Sequence, residues 1–217
     1  MNVIELLKND HEKVSKLFKS YEAAKKSESE SDKEAIVAQL CEELSVHALA
    51  EEQLFYPAVE DGSENDEKAQ DMVKEGQEEH KLVKTLVAEL KEMSASEEQY
   101  DAKVKVLKDL VDHHVEEEEG QMMPKAKKLL SSEELEALGT QVESRKEELK
   151  AEYAEEQGKA SGAASGRQNS PPAQSSGASS SRSSAGKGAS SSSVEASRSP
   201  RPARRRPASG AMPSPAK

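Results

Sequence analysis

Four histidines and two glutamates carry the chemistry legible in this chain: His11, His47, Glu51, His80, His114 and Glu118. Each falls on the apolar stripe of a helix-period pattern, which assigns it to a buried core. A buried ionised carboxylate costs on the order of several kcal/mol unless it is paired or holds a metal. His47 and Glu51, like His114 and Glu118, are four residues apart, about one helical turn, so both members of each pair can point at one centre. Imidazole with carboxylate suits Fe, Mn, Zn or Cu rather than Ca or Mg. Six inward donors exceed what a closed tetrahedral zinc site takes. Two metals bridged by Glu51 and Glu118 would use them all, as in the dinuclear carboxylate sites of helical bundles.

The elements that must position these residues read as helices. Apolar spacings of three and four residues run through Ile4, Leu7, His11, Val14, Phe18 and Tyr21, and again through Ile36, Leu40, Leu44, His47, Glu51 and Leu54. A third stripe holds Val73, Gly76, His80, Val83, Val87 and Leu90, and a fourth Val104, Leu107, Val111, His114 and Glu118. The polar connections at 25–32, 61–66 and 93–98 are short, which favours antiparallel neighbours. The expected fold is all-α, an up-down-up-down four-helix bundle over residues 1–130. An additional C-terminal helix over 131–156 starts at the Ser131/Ser132 cap and presents Leu135, Leu138, Val142 and Leu149, either covering the bundle or extending from it.

The pattern hides a repeat. His47 to Pro57 and His114 to Pro124 share the frame H-x3-E-E-x4-P, and Asp10-His11 with Val14 and Phe18 parallels Glu79-His80 with Val83 and Val87. The set His11, His47-x3-Glu51, His80, His114-x3-Glu118 resembles the hemerythrin-like HHE cation-binding domain over residues 1–130. The resemblance implies a four-helix bundle around two non-haem iron ions with an oxo or hydroxo bridge, and a role in binding or sensing O2, NO or peroxide, or in handling iron. One departure stands out. Oxygen-carrying hemerythrins place two histidines four residues apart on the third helix, whereas the positions four residues either side of His80 are Gly76 and Lys84. The carriers also use an Asp five residues after their second-repeat His, where this chain has Glu118 four residues after His114. A lighter donor set leaves positions for water, Glu75 or Glu79, and favours sensing, iron handling or reaction with small oxidants over reversible oxygen carriage.

Other polar residues have plainer expected roles. The shared frame selects His114 over its neighbour His113, leaving the latter at the rim or supporting a ligand. Glu52 and Glu119 could hydrogen-bond ligand imidazoles but are expected to be exposed, and Tyr21 and Tyr56 could lie near the site but are expected to pack. Cys41 reads as a small buried residue; as the lone cysteine it excludes an internal disulfide and any Cys-based zinc site.

The charge divides sharply. Residues 157–217 carry ten Lys/Arg against Glu195, about +9, while the first 156 residues, at 21 basic and 41 acidic, are about −20. The segment 157–217 is rich in Ser, Ala, Gly and Pro and is expected to be a disordered tail. Its cluster around Arg204, Arg205 and Arg206 can contact a polyanion weakly and without specificity, and no aromatic residue is interleaved there for base stacking. No apolar run approaches the roughly 18 residues that cross a bilayer, and the first ten residues do not read as a secretory signal, so a cytoplasmic protein is expected. No nucleophile elbow or Gly-rich phosphate loop is present. Three functions remain: a metal-dependent binding or sensing module, an enzyme turning over peroxide or NO, and a tail-mediated interaction protein with a structural metal.

Overall fold

The computed structural model describes residues 1–63 and 66–165, with side chains through residue 159. Helix α1 (Val3–Lys26) starts at a capping box: Asn2 accepts from the Glu5 N–H at 3.0 Å, and Glu5 accepts from the Asn2 N–H at 3.3 Å. Helix α2 (Glu30–Ala50) returns beside it and runs through a π turn (Glu51–Phe55) into α3 (Tyr56–Gly62). Helix α4 (Glu67–Lys91) is capped by Asp66, which accepts from the Ala69 N–H at 3.2 Å. Helix α5 (Tyr100–Glu117) repeats the second rod, with a π turn (Glu118–Met122) leading into α6 (Met123–Leu129). Helix α7 (Ser132–Ser165) opens where Ser131 accepts from the Glu134 N–H at 3.2 Å, the reciprocal bond to the Glu134 carboxylate measuring 2.8 Å.

The expected all-α bundle with an additional helix is therefore what the chain forms. α1 packs on α2, α4 on α5, and α7 lies against α1 and α2. The last helix covers the bundle: Leu135, Leu138, Val142 and Leu149 join a core cluster with Val3, Ile4 and Leu7. Gly139 permits the approach, because a Cβ there would stand 2.4 Å from the Met1 carbonyl oxygen and 2.8 Å from the Val3 nitrogen. α7 also runs to Ser165, past the end at 156 expected from the sequence. Residues 157–165 hold three alanines, Gln157 and Lys159, all good helix formers, and extending an existing helix past Gly158 and Gly162 costs far less than starting one. The rest of the basic segment, with its arginine cluster, lies outside the described residues.

Each π turn begins at the glutamate of the repeated frame. The Tyr56 N–H reaches five residues back to the Glu51 carbonyl, and the Met123 N–H does the same to Glu118. Pro57 and Pro124 follow directly; proline lacks the N–H for an ordinary helical bond and crowds the carbonyl four residues before it, which the wider turn accommodates.

The apolar core is split in two. Val14, Phe18, Leu44, Val83 and Val111 belong to one cluster, and Leu7, Ala50, Phe55, Val73 and Met122 to the other. His11, His47, His80, His114, Glu51 and Glu118, all buried, form a polar layer between the clusters along each rod. No helix among the described residues is long and apolar enough to cross a membrane.

Candidate metal centre

The six side chains expected at the core converge. Nε2 of His11 and Nε2 of His47 are 3.3 Å apart, and so are those of His80 and His114. That spacing suits two nitrogens each about 2.1 Å from a shared cation. Glu51 Oε2 lies 3.2 Å from His47 Nε2 and 3.4 Å from His80 Nε2, so it spans the two imidazole pairs. Glu118 Oε2 lies 3.2 Å from His11 Nε2 and 3.9 Å from His114 Nε2 and spans them from the other side. Two groups could thus each hold a cation: His11, His47, Glu51 and Glu118, and Glu51, His80 and His114.

The deciding feature is what the glutamates lack. All four carboxylate oxygens of Glu51 and Glu118 are buried without a hydrogen-bond partner among the described residues. Buried polar atoms are nearly always satisfied, and a carboxylate only accepts. A layer of facing nitrogen and oxygen lone pairs is a donor set for cations.

The protonation pattern supports this. Burial pushes Glu51 well above the usual carboxylate range, and the neighbouring Glu118 pushes it further. Burial also opposes an ionised Glu118, but His11, His114 and His47 outweigh it and hold that carboxyl at about 2. Burial works against a charged His11 too, yet Glu118, Glu51 and Glu119 overcome it and lift the imidazole to about 9. Burial takes His47 the other way, to about 4. Without a cation, protons on Glu51 and His11 do the neutralising that a metal would do.

Each imidazole is aimed by a second carboxylate. His11 Nδ1 faces Glu119 at 2.8 Å, His47 Nδ1 faces Asp10 at 3.4 Å, His80 Nδ1 faces Glu52 at 3.1 Å, and His114 Nδ1 faces Glu79 at 2.7 Å. Because the carboxylate can only accept, Nδ1 carries the hydrogen and Nε2 of a neutral ring turns its lone pair inward. The pattern obeys the repeat. The acid preceding each first-helix histidine serves the histidine of its own hairpin, and the acid following each spanning glutamate serves the other hairpin. A lysine backs three of them: Lys146 on Asp10, Lys84 on Glu52 at 2.5 Å and Lys8 on Glu119 at 2.8 Å, while Glu79 has the partly exposed His113 ring 3.5 Å away.

Residues 2–126 match the family model of the hemerythrin HHE cation-binding domain. The chain belongs to that family. A solved structure of an HHE cation-binding domain-containing protein from Mycobacterium kansasii is similar at a TM-score of 0.59 and 26% identity, covering 70% of this chain and 89% of that one. A DNA nickase of Nostoc sp. is 29% identical over 150 residues, 69% of this chain, which spans 40% of that relative's length.

Within this HHE domain, several residues depart from their expected places. Glu52 and Glu119 do not sit free in solvent; they bond His80 and His11. Tyr56 is not a plain packing residue: it is fully buried, stacks on His80 at 5.4 Å between centroids, and brings its hydroxyl to 3.3 Å from His80 Nε2. Gly76 makes room for it, since a Cβ there would stand 2.8 Å from the Tyr56 hydroxyl oxygen. Tyr21 packs as expected, its hydroxyl donating to Asp101 at 2.5 Å. Asp10 and Glu79 were legible in the repeat as the acid before each histidine, but nothing in the pattern pointed to Lys146 on the last helix. Glu75 is exposed, and His113 is more than half exposed, facing away from the layer toward Glu79 and Glu117. Cys41 is buried, and burial pushes its thiol up to about 11.

Proposed function

We propose that the HHE domain holds two iron ions, with His11, His47, His80 and His114 as nitrogen donors and Glu51 and Glu118 spanning the pair, and binds or senses a small diatomic or oxidant: O2, NO or peroxide. The four unsatisfied oxygens of Glu51 and Glu118 carry this reading. Imidazole with carboxylate suits redox iron. When bound, iron supplies open coordination positions and one-electron chemistry.

The chain's own residues do the rest. A small cavity of about 20 Å³ adjoins the four imidazoles, walled by Val14, Leu44, Val83, Val111 and Val115. It is large enough for one guest the size of water, which takes about 10–15 Å³ by that measure, and its walls offer such a guest little to hydrogen-bond. Asp10, Glu52, Glu79 and Glu119 fix ring orientation, as carboxylates behind metal-bound histidines do. Tyr56 places a hydroxyl beside His80 Nε2; burial, reinforced by Glu51 and Glu118, keeps it protonated without a cation, so it is a donor at the edge of the site.

The nicking named for the Nostoc relative does not suit this centre. The approach from α4 and α5 is lined by Glu67, Asp71, Glu75 and Glu117, which repel a phosphodiester. The test is stopped-flow spectroscopy of the anaerobically Fe(II)-loaded protein mixed with NO, O2 or peroxide. A spectrum that changes stoichiometrically and then persists is the result for binding, whereas loss of oxidant over many turnovers assigns an enzyme. A spectrum unmoved by all three contradicts the proposal.

A further inference from the structure

A second cluster of donors stands outside the buried layer. His113 Nε2 lies 3.5 Å from Glu79 Oε1 and 3.8 Å from Glu117 Oε2, and one donor atom from each residue falls within 4.8 Å of the others. The side chains of His113 and Glu117 are 58% and 32% exposed, so ions from solvent reach them, while that of Glu79 is 11% exposed and faces inward. The other oxygen of Glu79 accepts from His114 Nδ1 at 2.7 Å, so this carboxylate touches both the outer cluster and the buried layer.

A cleft of about 410 Å³ between α4 and α5 joins the two. Glu79 and Glu117 line it, His114 and Glu118 line its inner end, and Glu67, Asp71 and Glu75 add negative charge against Lys68. Glu118 is 1% exposed, with neither oxygen hydrogen-bonded among the described residues. The cleft therefore leads from an open His-carboxylate cluster to a buried, unpartnered carboxylate, and its field favours cations throughout. The small apolar cavity beside Val14 and Leu44 is a separate space with different walls.

We infer that Glu79, His113 and Glu117 form a third, solvent-open site for a divalent transition-metal ion, and that ions dock there before passing along the α4/α5 cleft to His114 and Glu118. One imidazole with two carboxylates suits Fe(II), Mn(II) or Zn(II), and three protein donors leave the rest of the coordination sphere to water, as an exchangeable docking site requires. The inference rests on the two-ion reading of the buried centre.

The test compares the full-length protein with its His113→Ala/Glu117→Gln double variant. His113 is exposed and Glu117 half-buried, and neither supplies a donor to the buried layer, so the fold and the buried donor set are kept. Metal is stripped by chelation, and Fe(II) is added without oxygen, first by equilibrium titration and then by rapid mixing. The wild type should take up a third, weaker equivalent that the double variant lacks. The variant should still reach two tightly held ions, but load them about tenfold more slowly or worse, the low end of electrostatic steering, with the wild-type rate falling as salt rises. A variant that loads at the wild-type rate and binds the same number of ions overturns the third site. A wild type that holds no tightly bound ion instead overturns the two-ion reading, and the two failures are told apart by the wild-type stoichiometry alone.

Discussion

The Tyr56 hydroxyl stands 3.3 Å from His80 Nε2, in the space that a side chain at position 76 would fill. Gly76 lies four residues before His80, one of the two positions where a second histidine of the oxygen carriers would be sought, and the phenol reaches over it from the adjacent rod. The missing imidazole and the inserted hydroxyl are one feature.

Gly76→Ala should therefore act through Tyr56. The added methyl would meet the hydroxyl oxygen at 2.8 Å and the ring carbon at 3.2 Å, so ring and imidazole must shift. The expected cost is about 1–3 kcal/mol of stability, as for overpacking in a tight core, together with reduced metal content. Pairing it with Tyr56→Phe removes the closest clash and should restore part of the melting temperature. Thermal unfolding of the two single variants and the double variant checks this.

Glu51→Gln should separate stability from function. In the metal-free protein it replaces a carboxyl that must take up a proton to stay buried with a neutral amide of the same shape, so at pH 7 unfolding should become harder by about 1–3 kcal/mol, the linkage cost of one to two pH units. In calorimetric titration the same variant should lose tight metal binding. A variant less stable than wild type in the presence of chelator would contradict the assignment of strain to that carboxylate.

Lys146→Met tests how far the site extends. Lys146 on α7 grips both oxygens of Asp10, which aims His47, and both charged side chains are about nine-tenths buried. Removing one member of a buried pair costs about 3–5 kcal/mol, and disturbing such a support typically lowers metal affinity about 10–100-fold. Lys146→Met with Asp10→Asn leaves no stranded charge and should recover stability without recovering affinity. Chemical denaturation and competition against a chelator read the two effects separately.

The helices and the six converging residues were legible because both rest on local periodicity: a histidine on an apolar stripe is conspicuous, and its recurrence in two hairpins fixes the register. The acids at 10 and 79 were visible as neighbours of those histidines, but their partners were not, since a side chain one residue off the stripe points to solvent or to the next helix depending on how the rods turn. Lys146 was invisible for a stronger reason. Lys146 reaches Asp10 across 136 residues of sequence, and the packing of α7 on α1 that joins them leaves no periodic trace. The π turns at Glu51 and Glu118 had a faint signal in Pro57 and Pro124, whose shared spacing in the two copies reported a backbone constraint.

The pH dependence of the metal-free protein has a definite sign. His11 rises from 6.5 to about 9 in the fold, so the stability it contributes is complete below 6.5 and is lost as pH climbs through 9. Glu51, also raised, loses stability in the same direction. His47 falls from 6.5 to about 4, so stability drops as pH falls through that interval. Melting temperature with chelator should stay nearly level from about pH 4.5 to 6.5, where the Glu51 loss offsets the His47 gain, and decline toward pH 9, whereas the metal-loaded protein, with those protons expelled, should show no such alkaline decline. Metal affinity should accordingly rise with pH across the same interval.

The central claim is tested most directly by metal analysis of the full-length protein purified after growth in iron-rich medium, alongside its optical spectrum in air. The expected result is close to two iron ions per chain held by His11, His47, Glu51, His80, His114 and Glu118, with near-ultraviolet absorption of a bridged ferric pair that disappears in a Glu51→Gln/Glu118→Gln variant. Iron at trace level only, or a full iron complement that survives loss of both glutamates, would contradict it.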